Sequence, residues 1–329
     1  MKNPHPPIKY IDPMIDFGFK KIFKESGKKQ LIIRPLNAIF GLDIADIEIR
    51  ESEQMGLVRE AHHVSYDLYC TNTDGNRFIV EVQLADQEFF LERALFYTSF
   101  PIAKSMPKTP LSLKGKKKKL KQRIPWNYNY PPVFFLGLLN FDIRHINPQQ
   151  NDPEQFIHIF SLRNEQTGEL MTDRLRFAFL EVARFDRPKE ACSTFEERFL
   201  FMMKNLPNFV ETPELWADED PYFQEFLQEA EFANMTDRQQ ERYLARMIRE
   251  WDDKNAMDFA KKKAMEEGIA EGRAKGLAEG RAEGRAEGRT EGKMEHAIET
   301  ARKMSEDNEP IEKIVKYSGL TEEQIRSLV

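Results

Sequence analysis

Strand-like and helix-like segments alternate up to about residue 190 and only helical patterns follow, which predicts an α/β domain with an all-helical C-terminal region. The runs Tyr66-Asp67-Leu68-Tyr69-Cys70 and Phe78-Ile79-Val80-Glu81-Val82-Gln83, parted by Asn72-Thr73-Asp74-Gly75-Asn76, have the composition of a β-hairpin. Val133-Phe134-Phe135-Leu136-Gly137-Leu138-Leu139 is apolar without interruption, as a strand buried on both faces is. From Phe195 onward apolar residues recur at helical spacing.

In chain order, helical patterns cover residues 13–24 and 28–40, the first with Asp12-Pro13 as a candidate start. The hairpin follows, then a helix over Phe89 to Ser105 and the buried strand from Val133. Phe156 to Leu162 and Phe177 to Val182 are later strand candidates, and the α/β body is expected to end near Arg187-Pro188. Helices are expected over Phe195 to Lys204 and Tyr222 to Phe232, with a long one starting at Thr236 or Asp237.

Acidic residues interrupt both hairpin runs, Asp67 in the first and Glu81 in the second. A buried carboxylate without a partner is costly, so these acids are expected to share something positive. Turn length decides whether they meet, because a one-residue change of register sends a side chain to the opposite face. A two-residue Asp74-Gly75 loop pairs Asp67 with Val82 and turns Glu81 away. A three-residue Thr73-Asp74-Gly75 loop, with Gly75 left-handed, sets Asp67 across from Glu81 and puts Gln83 one step along the same face. The second arrangement is expected here. Facing residues have Cβ atoms about 5 Å apart, close enough for two carboxylates to hold one hard divalent cation. The plainer alternative puts Glu81 and Gln83 on a wet sheet face, with Val80 and Val82 inward.

Asp67 followed by Glu81-x-Gln83 at a hairpin resembles the PD-(D/E)xK nuclease signature in a glutamine-bearing form. The surrounding residues are similar to one branch, the recombination-promoting nuclease (Rpn) or transposase family. The matching pieces are Asp16-Phe17-Gly18-Phe19-Lys20-Lys21-Ile22-Phe23, Leu36-Asn37-Ala38-Ile39-Phe40-Gly41, Arg93 with Tyr97, and Phe179-Leu180-Glu181-Val182-Ala183-Arg184-Phe185. They span most of residues 10–186, and their order and spacing together carry the likeness. Two features depart from the pattern: Pro35 falls inside the second expected helix, and the lysine-rich insert near residue 115 is longer than the pattern needs.

The resemblance implies a restriction-endonuclease-like mixed sheet flanked by helices, with DNA as substrate. On that basis residues 1–190 form the nuclease-like domain, 191–262 a helical region, 263–293 a repeat segment and 294–329 a short helical pair. Asp67 and Glu81 would hold Mg2+ (or Mn2+ or Ca2+), which polarises a phosphate oxygen and makes hydroxide available near neutral pH. Gln83 stands where the family has lysine; its amide can orient water but brings no positive charge to the transition state. Asp16 is expected as a third acid reaching the cation directly or through water, the alternative being a helix N-cap or solvated residue. Arg93 and Tyr97, spaced i and i+4, share a helix face and either support the site or touch backbone phosphate. His62 and His63 point opposite ways in a strand and build no metal site. The expected activity is metal-dependent DNA endonuclease cleavage of low sequence specificity, linked to recombination or mobile DNA. The alternative is a nuclease fold without turnover that serves DNA binding or assembly.

The net charge of −6 hides its distribution. Residues 114–123 hold seven cations in ten positions, among them Lys116, Lys117, Lys118, Lys119, Lys121 and Arg123, with Trp126, Tyr128 and Tyr130 following. Such a segment can lie along a phosphate backbone with its aromatics stacked on bases; a solvated loop is the alternative. Two cysteines provide no disulfide framework and suit a reducing compartment. The first residues lack an apolar signal-like run, and Val133 to Leu139 is too short to cross a bilayer. The cytoplasm is therefore the expected compartment, with neither membrane nor small-molecule cofactor as partner.

Residues 267–293 repeat a tetrad of the form Glu-Gly-Arg-Ala. A solitary helix of this kind is poor, since each of its seven glycines costs about 1 kcal/mol relative to alanine. A homo-oligomerisation stalk and a flexible charged linker are the two readings. In the tail, Pro310 opens a short helix, Gly319 stops it, and Thr321-Glu322-Glu323-Gln324 forms a capping box with Leu320 and Ile325 as hydrophobic staple.

Overall fold

Residues 8–51, 53–54, 64–105, 128–143 and 152–328 are described by a computed structural model. They begin with α1 (Asp16–Lys20), continued by a π-helical turn at Lys21–Glu25, then α2 (Gln30–Phe40), β1 (Ile47–Ile49), β2 (Glu53–Gln54) and β3 (Val64–Ser65). The hairpin strands are β4 (Leu68–Asn72) and β5 (Arg77–Gln83), followed by α3 (Phe90–Ala103), β6 (Val133–Leu139), β7 (Ile157–Ser161) and β8 (Leu175–Glu181). The helical part comprises α4 (Phe195–Asn205), α5 (Pro221–Ala230), α6 (Asp237–Glu306), α7 (Ile311–Ser318) and α8 (Glu322–Leu328). By contacts the chain divides into two compact units, Met1–Ile248 and Arg249–Val329.

One mixed sheet runs in the order β1-β4-β5-β6-β8-β7, with β5, β6 and β8 parallel and the other neighbours antiparallel. The central strand β6 explains its own sequence: Phe134, Leu136 and Leu138 face one apolar cluster, while Val133, Phe135 and Leu139 face another. The first cluster gathers α1, α2, α4, α5 and Tyr243 of α6, and the second lies under α3 through Phe90, Ala94 and Phe100. Helices thus cover both sheet faces, as side-chain alternation along a strand demands when every residue is apolar. The expected break at residue 190 does not interrupt this packing. Phe199, Met202, Tyr222, Phe226 and Tyr243 share one core with Phe19, Phe23 and Leu36, so α4, α5 and the start of α6 belong to the α/β body.

Helix α1 begins at Asp16 rather than at Pro13. The Asp12 carboxylate accepts from the Met14 amide at 2.8 Å and closes a turn there, and Ile15 is the N-cap. Gly18 lies against that turn, where an added Cβ would come within 1.9 Å of the Asp12 carbonyl oxygen.

Two helices contain interior prolines, and each is repaired in the same way. Proline has no N–H, so the carbonyl four residues earlier loses its helical donor. For Pro35 that carbonyl is Leu31, and the buried Tyr222 hydroxyl donates to it at 3.0 Å. For Pro101 it is Tyr97, which accepts from the buried Tyr66 hydroxyl at 3.0 Å. This is why Pro35, a departure from the family pattern, leaves α2 intact.

In the second unit the tetrad repeat lies within the 70-residue α6, and residues 251–296 are exposed throughout. The segment is helical, and a Cβ added at any of its seven glycines meets nothing within 4 Å. The end of α6 packs with α7 and α8 through Ala301, Ile314, Leu320 and Ile325. Gly319 ends α7 at φ 73°, and Thr321 and Gln324 exchange the capping-box bonds at 2.9 and 3.3 Å.

Removing a buried donor leaves its carbonyl unsatisfied, which costs about 1–3 kcal/mol. Tyr222→Phe is expected to destabilise the chain by that amount in urea unfolding. In a Pro35→Ala background the cost falls below about 1 kcal/mol, because the backbone N–H restored by that substitution then serves the Leu31 carbonyl.

Candidate active site

The hairpin turn is the three-residue loop Thr73-Asp74-Gly75, with Gly75 left-handed at φ 82°. Asn72 donates its amide to the Asn76 carbonyl at 3.1 Å, and the pairs Cys70–Phe78, Tyr69–Ile79 and Leu68–Val80 follow. The next pair in this register is Asp67 with Glu81. Their contacts are reciprocal: the Asp67 amide donates to Glu81 Oε1 at 3.2 Å, and the Val82 amide donates to Asp67 Oδ2 at 2.8 Å. Glu81 is 7% exposed, so the wet-face alternative does not describe it.

Burial governs the electrostatics of this pair. It pushes the Asp67 carboxyl up to about 6, against the Val82 amide bond and with help from the Asp16 charge. It pushes Glu81 up to about 8, and the neighbouring Asp67 charge adds to the rise. Two carboxyls forced together out of water hold on to protons, because neither charged form is well solvated.

Asp16, the first residue of α1, is hydrogen-bonded to Asp67 through its side chain. One turn on, Lys20 Nζ lies 2.5 Å from Asp16 Oδ1 and 4.0 Å from Asp67 Oδ1. The structure therefore brings Asp16, Asp67 and Glu81 together pairwise, with a cation inserted beside the two aspartates. Among the described residues no three such side chains are already gathered as a cage for an ion. The donor chemistry nevertheless fits a hard divalent cation, being all carboxylate oxygen with depressed acidity that an ion would reverse.

Gln83 lies beside this group with both ends of its amide engaged. Nε2 donates to the Ala85 carbonyl at 2.8 Å and Oε1 accepts from Arg93. Tyr97 is held one turn beyond Arg93, its phenol pushed up by burial and by the Glu81 charge. At the same end of the sheet, a cavity of about 200 Å³ is lined by Asp12, Leu84, Asn140, Val182 and Lys204.

Lys116, Lys117, Lys118, Lys119, Lys121 and Arg123 lie outside the described residues. The chain leaves for that segment at Ser105, whose hydroxyl accepts from Arg77 at 2.6 Å, and is described again from Tyr128. Arg77 is four residues before Glu81, which at strand rise places this root roughly 13 Å from the carboxylates.

Glu181, fully buried in the Phe179 to Phe185 motif, has a structural task. Burial pushes its carboxyl up, but His158, the Ile143 amide and Arg184 outweigh that and hold it low. Arg184 in turn donates to the carbonyls of Asp152, Pro153 and Gln155, so the motif fastens a loop to the sheet edge.

Two residues of the site carry no role in the sequence reading. Lys20 was detectable by its i,i+4 spacing from Asp16, which puts a cation on the acid's own helix face. Tyr66 had no such signal, because its partner is a carbonyl exposed by a proline 35 residues away in sequence.

The description PD-(D/E)XK nuclease family transposase matches residues 13–260. The chain belongs to that family. No curated protein and no solved structure matches it. In this PD-(D/E)XK protein the mixed sheet with flanking helices is the family's nuclease scaffold, and DNA is the substrate that a nuclease family implies. Among the described residues no helix is long and apolar enough to cross a membrane.

Asp67 and Glu81 titrate higher in the folded chain than in the unfolded one, so between about pH 4 and pH 8 the folded state binds more protons. Stability therefore falls as pH rises through that window, and below it the penalty is absent because both states are protonated. Glu81→Gln is expected to raise the Tm at pH 8 in EDTA and to flatten its decline from pH 6 upward. Thermal melts across pH check this; an unchanged profile contradicts it.

Proposed function

We propose that this protein is a divalent-metal-dependent DNA endonuclease that hydrolyses phosphodiester bonds with low sequence specificity, in the service of recombination or mobile DNA. The observation that supports this reading is the buried Asp67–Glu81 pair, facing across one hairpin with Asp16 bonded to Asp67. Asp67 and Glu81 would hold magnesium or manganese, with Asp16 as the third acid. Such an ion, when bound, polarises a phosphate oxygen and lowers the pKa of its water.

The chain's own residues prepare for that step. Asp67 and Glu81 retain protons near neutral pH through burial, so loading the site releases them and makes loading pH-dependent. Lys20 offsets the repulsion between the two aspartates beforehand, and it offers a compact ammonium to a phosphate oxygen once substrate arrives. Water attacks phosphorus, the P–O bond to the leaving oxygen breaks, and the developing charge is spread over these cations. Low specificity accords with α8, whose one cation, Arg326, is paired to Glu322 at 2.5 Å. Phosphate contact by the 114–123 lysine segment belongs to this reading, and the free, buried Cys70 and Cys192 suit a cytoplasmic setting.

The second reading, a nuclease fold without turnover, draws on Gln83, which is neither a cation nor turned toward water. Plasmid nicking in Mg2+ or Mn2+ separates the two. Asp67→Asn and Glu81→Gln are expected to lose at least 100-fold in rate and Lys20→Met about 10-fold or more, on the scale of a single lost electrostatic contact. Equal cleavage by the native chain and both carboxylate variants would trace the activity to a contaminant.

Self-association through the exposed α6 repeat is the companion proposal. Light scattering is expected to give a multiple of the chain mass for the full protein and a single-chain mass after truncation at Ala264. A monomeric full-length chain removes it.

A further inference from the structure

Gln83 shares a strand with Glu81, yet its amide makes two protein bonds, one to the Ala85 carbonyl and one to Arg93. Arg93 is gripped a second time by the Gln87 side-chain oxygen. Its guanidinium carbon sits 5.3 Å from the Phe90 ring centre and 5.7 Å from that of Tyr97. Two amides and two rings therefore fix one half-buried cation beside the carboxylate pair, close enough for its charge to be felt at Glu81. A guanidinium has five N–H donors, and these two bonds leave others for an incoming anion. Arginine held in this way is a preorganised fork for phosphate.

We infer that Gln83 is a positioning residue and that Arg93, which it holds, is the phosphate-binding cation on the Glu81 side of the site. The inference deepens the nuclease reading and rests on it for the identity of the anion. It explains why position 83 carries an acceptor: a lysine there would repel Arg93, whereas the amide oxygen receives it. The positive charge that Gln83 lacks is supplied one helix away. Lys20 and Arg93 then stand on the Asp67 and Glu81 sides respectively, so a phosphate approaching the acids meets a cation at either one.

The test is a double-mutant cycle on the full chain with Gln83→Leu, Arg93→Met and the double variant, plus Gln83→Glu, which keeps an acceptor for the guanidinium. Binding of a short DNA duplex is measured in Ca2+ at several salt concentrations, and nicking separately in Mg2+ and Mn2+. Loss of one phosphate contact reduces the slope of log affinity against log salt by about one. That reduction is expected in Gln83→Leu, in Arg93→Met and, without doubling, in the double variant, while Gln83→Glu keeps the native slope. Nicking is expected to fall by a similar factor in all three, because the two residues act in series.

A native slope in Gln83→Leu alongside a reduced one in Arg93→Met overturns the inference, as do additive losses in the double variant. Absence of metal-dependent nicking by the native chain overturns the nuclease reading alone if the slopes behave as expected. Absence of duplex binding by the native chain overturns both.

Discussion

One left-handed residue, Gly75, determines which side chains of β4 and β5 face each other. With three residues in the turn, Asp67 lies across from Glu81; with two, the same sequence would turn Glu81 to the other face. All of the site's chemistry follows from that parity. The reciprocal amide bonds of the two acids then lock the register from its far end, so turn and carboxylates hold each other in place.

The acids are kept at a cost. Each is held largely out of water, and each is pushed toward its protonated form mainly by that burial. Lys20 lowers both, and Arg93 lowers Glu81, without returning either to its ordinary range. A site arranged in this way is less stable empty than an apolar one would be, and it recovers stability by taking up positive charge. Functional constellations commonly carry such a burden while the surrounding core carries the fold. Here the core is two apolar layers divided by β6, each packed by helices from distant parts of the sequence.

Much of this was legible in the residues. The hairpin, the fully apolar strand and the capping box at Thr321 are local patterns, and they appear where local chemistry puts them. The position of Gly75 gave the turn its parity through the left-handed preference of glycine. What escaped the sequence was non-local. The 190 boundary disappears because α4 and α5 bury their faces in the same core as α1, which no periodicity reports. Asp12-Pro13 has the composition of a helix start, but the Asp12 carboxylate closes a separate turn with Met14. Gln83 reads as a water-orienting amide until Ala85 and Arg93 are seen to occupy it.

Pro101 interrupts α3 one turn after Tyr97, and the last turn of the helix is tied elsewhere: Arg77 donates to the Pro101 carbonyl and to the Ser105 hydroxyl. The helix is thus anchored twice, by Tyr66 above the missing rung and by Arg77 below it. A tug on the chain beyond Ser105 is borne by Arg77 before it reaches the turns that carry Arg93. This mechanical insulation gives the lineage freedom to lengthen, shorten or recharge the stretch after Ser105 without disturbing the cleft chemistry, and the lysine-rich insert occupies that permissive position.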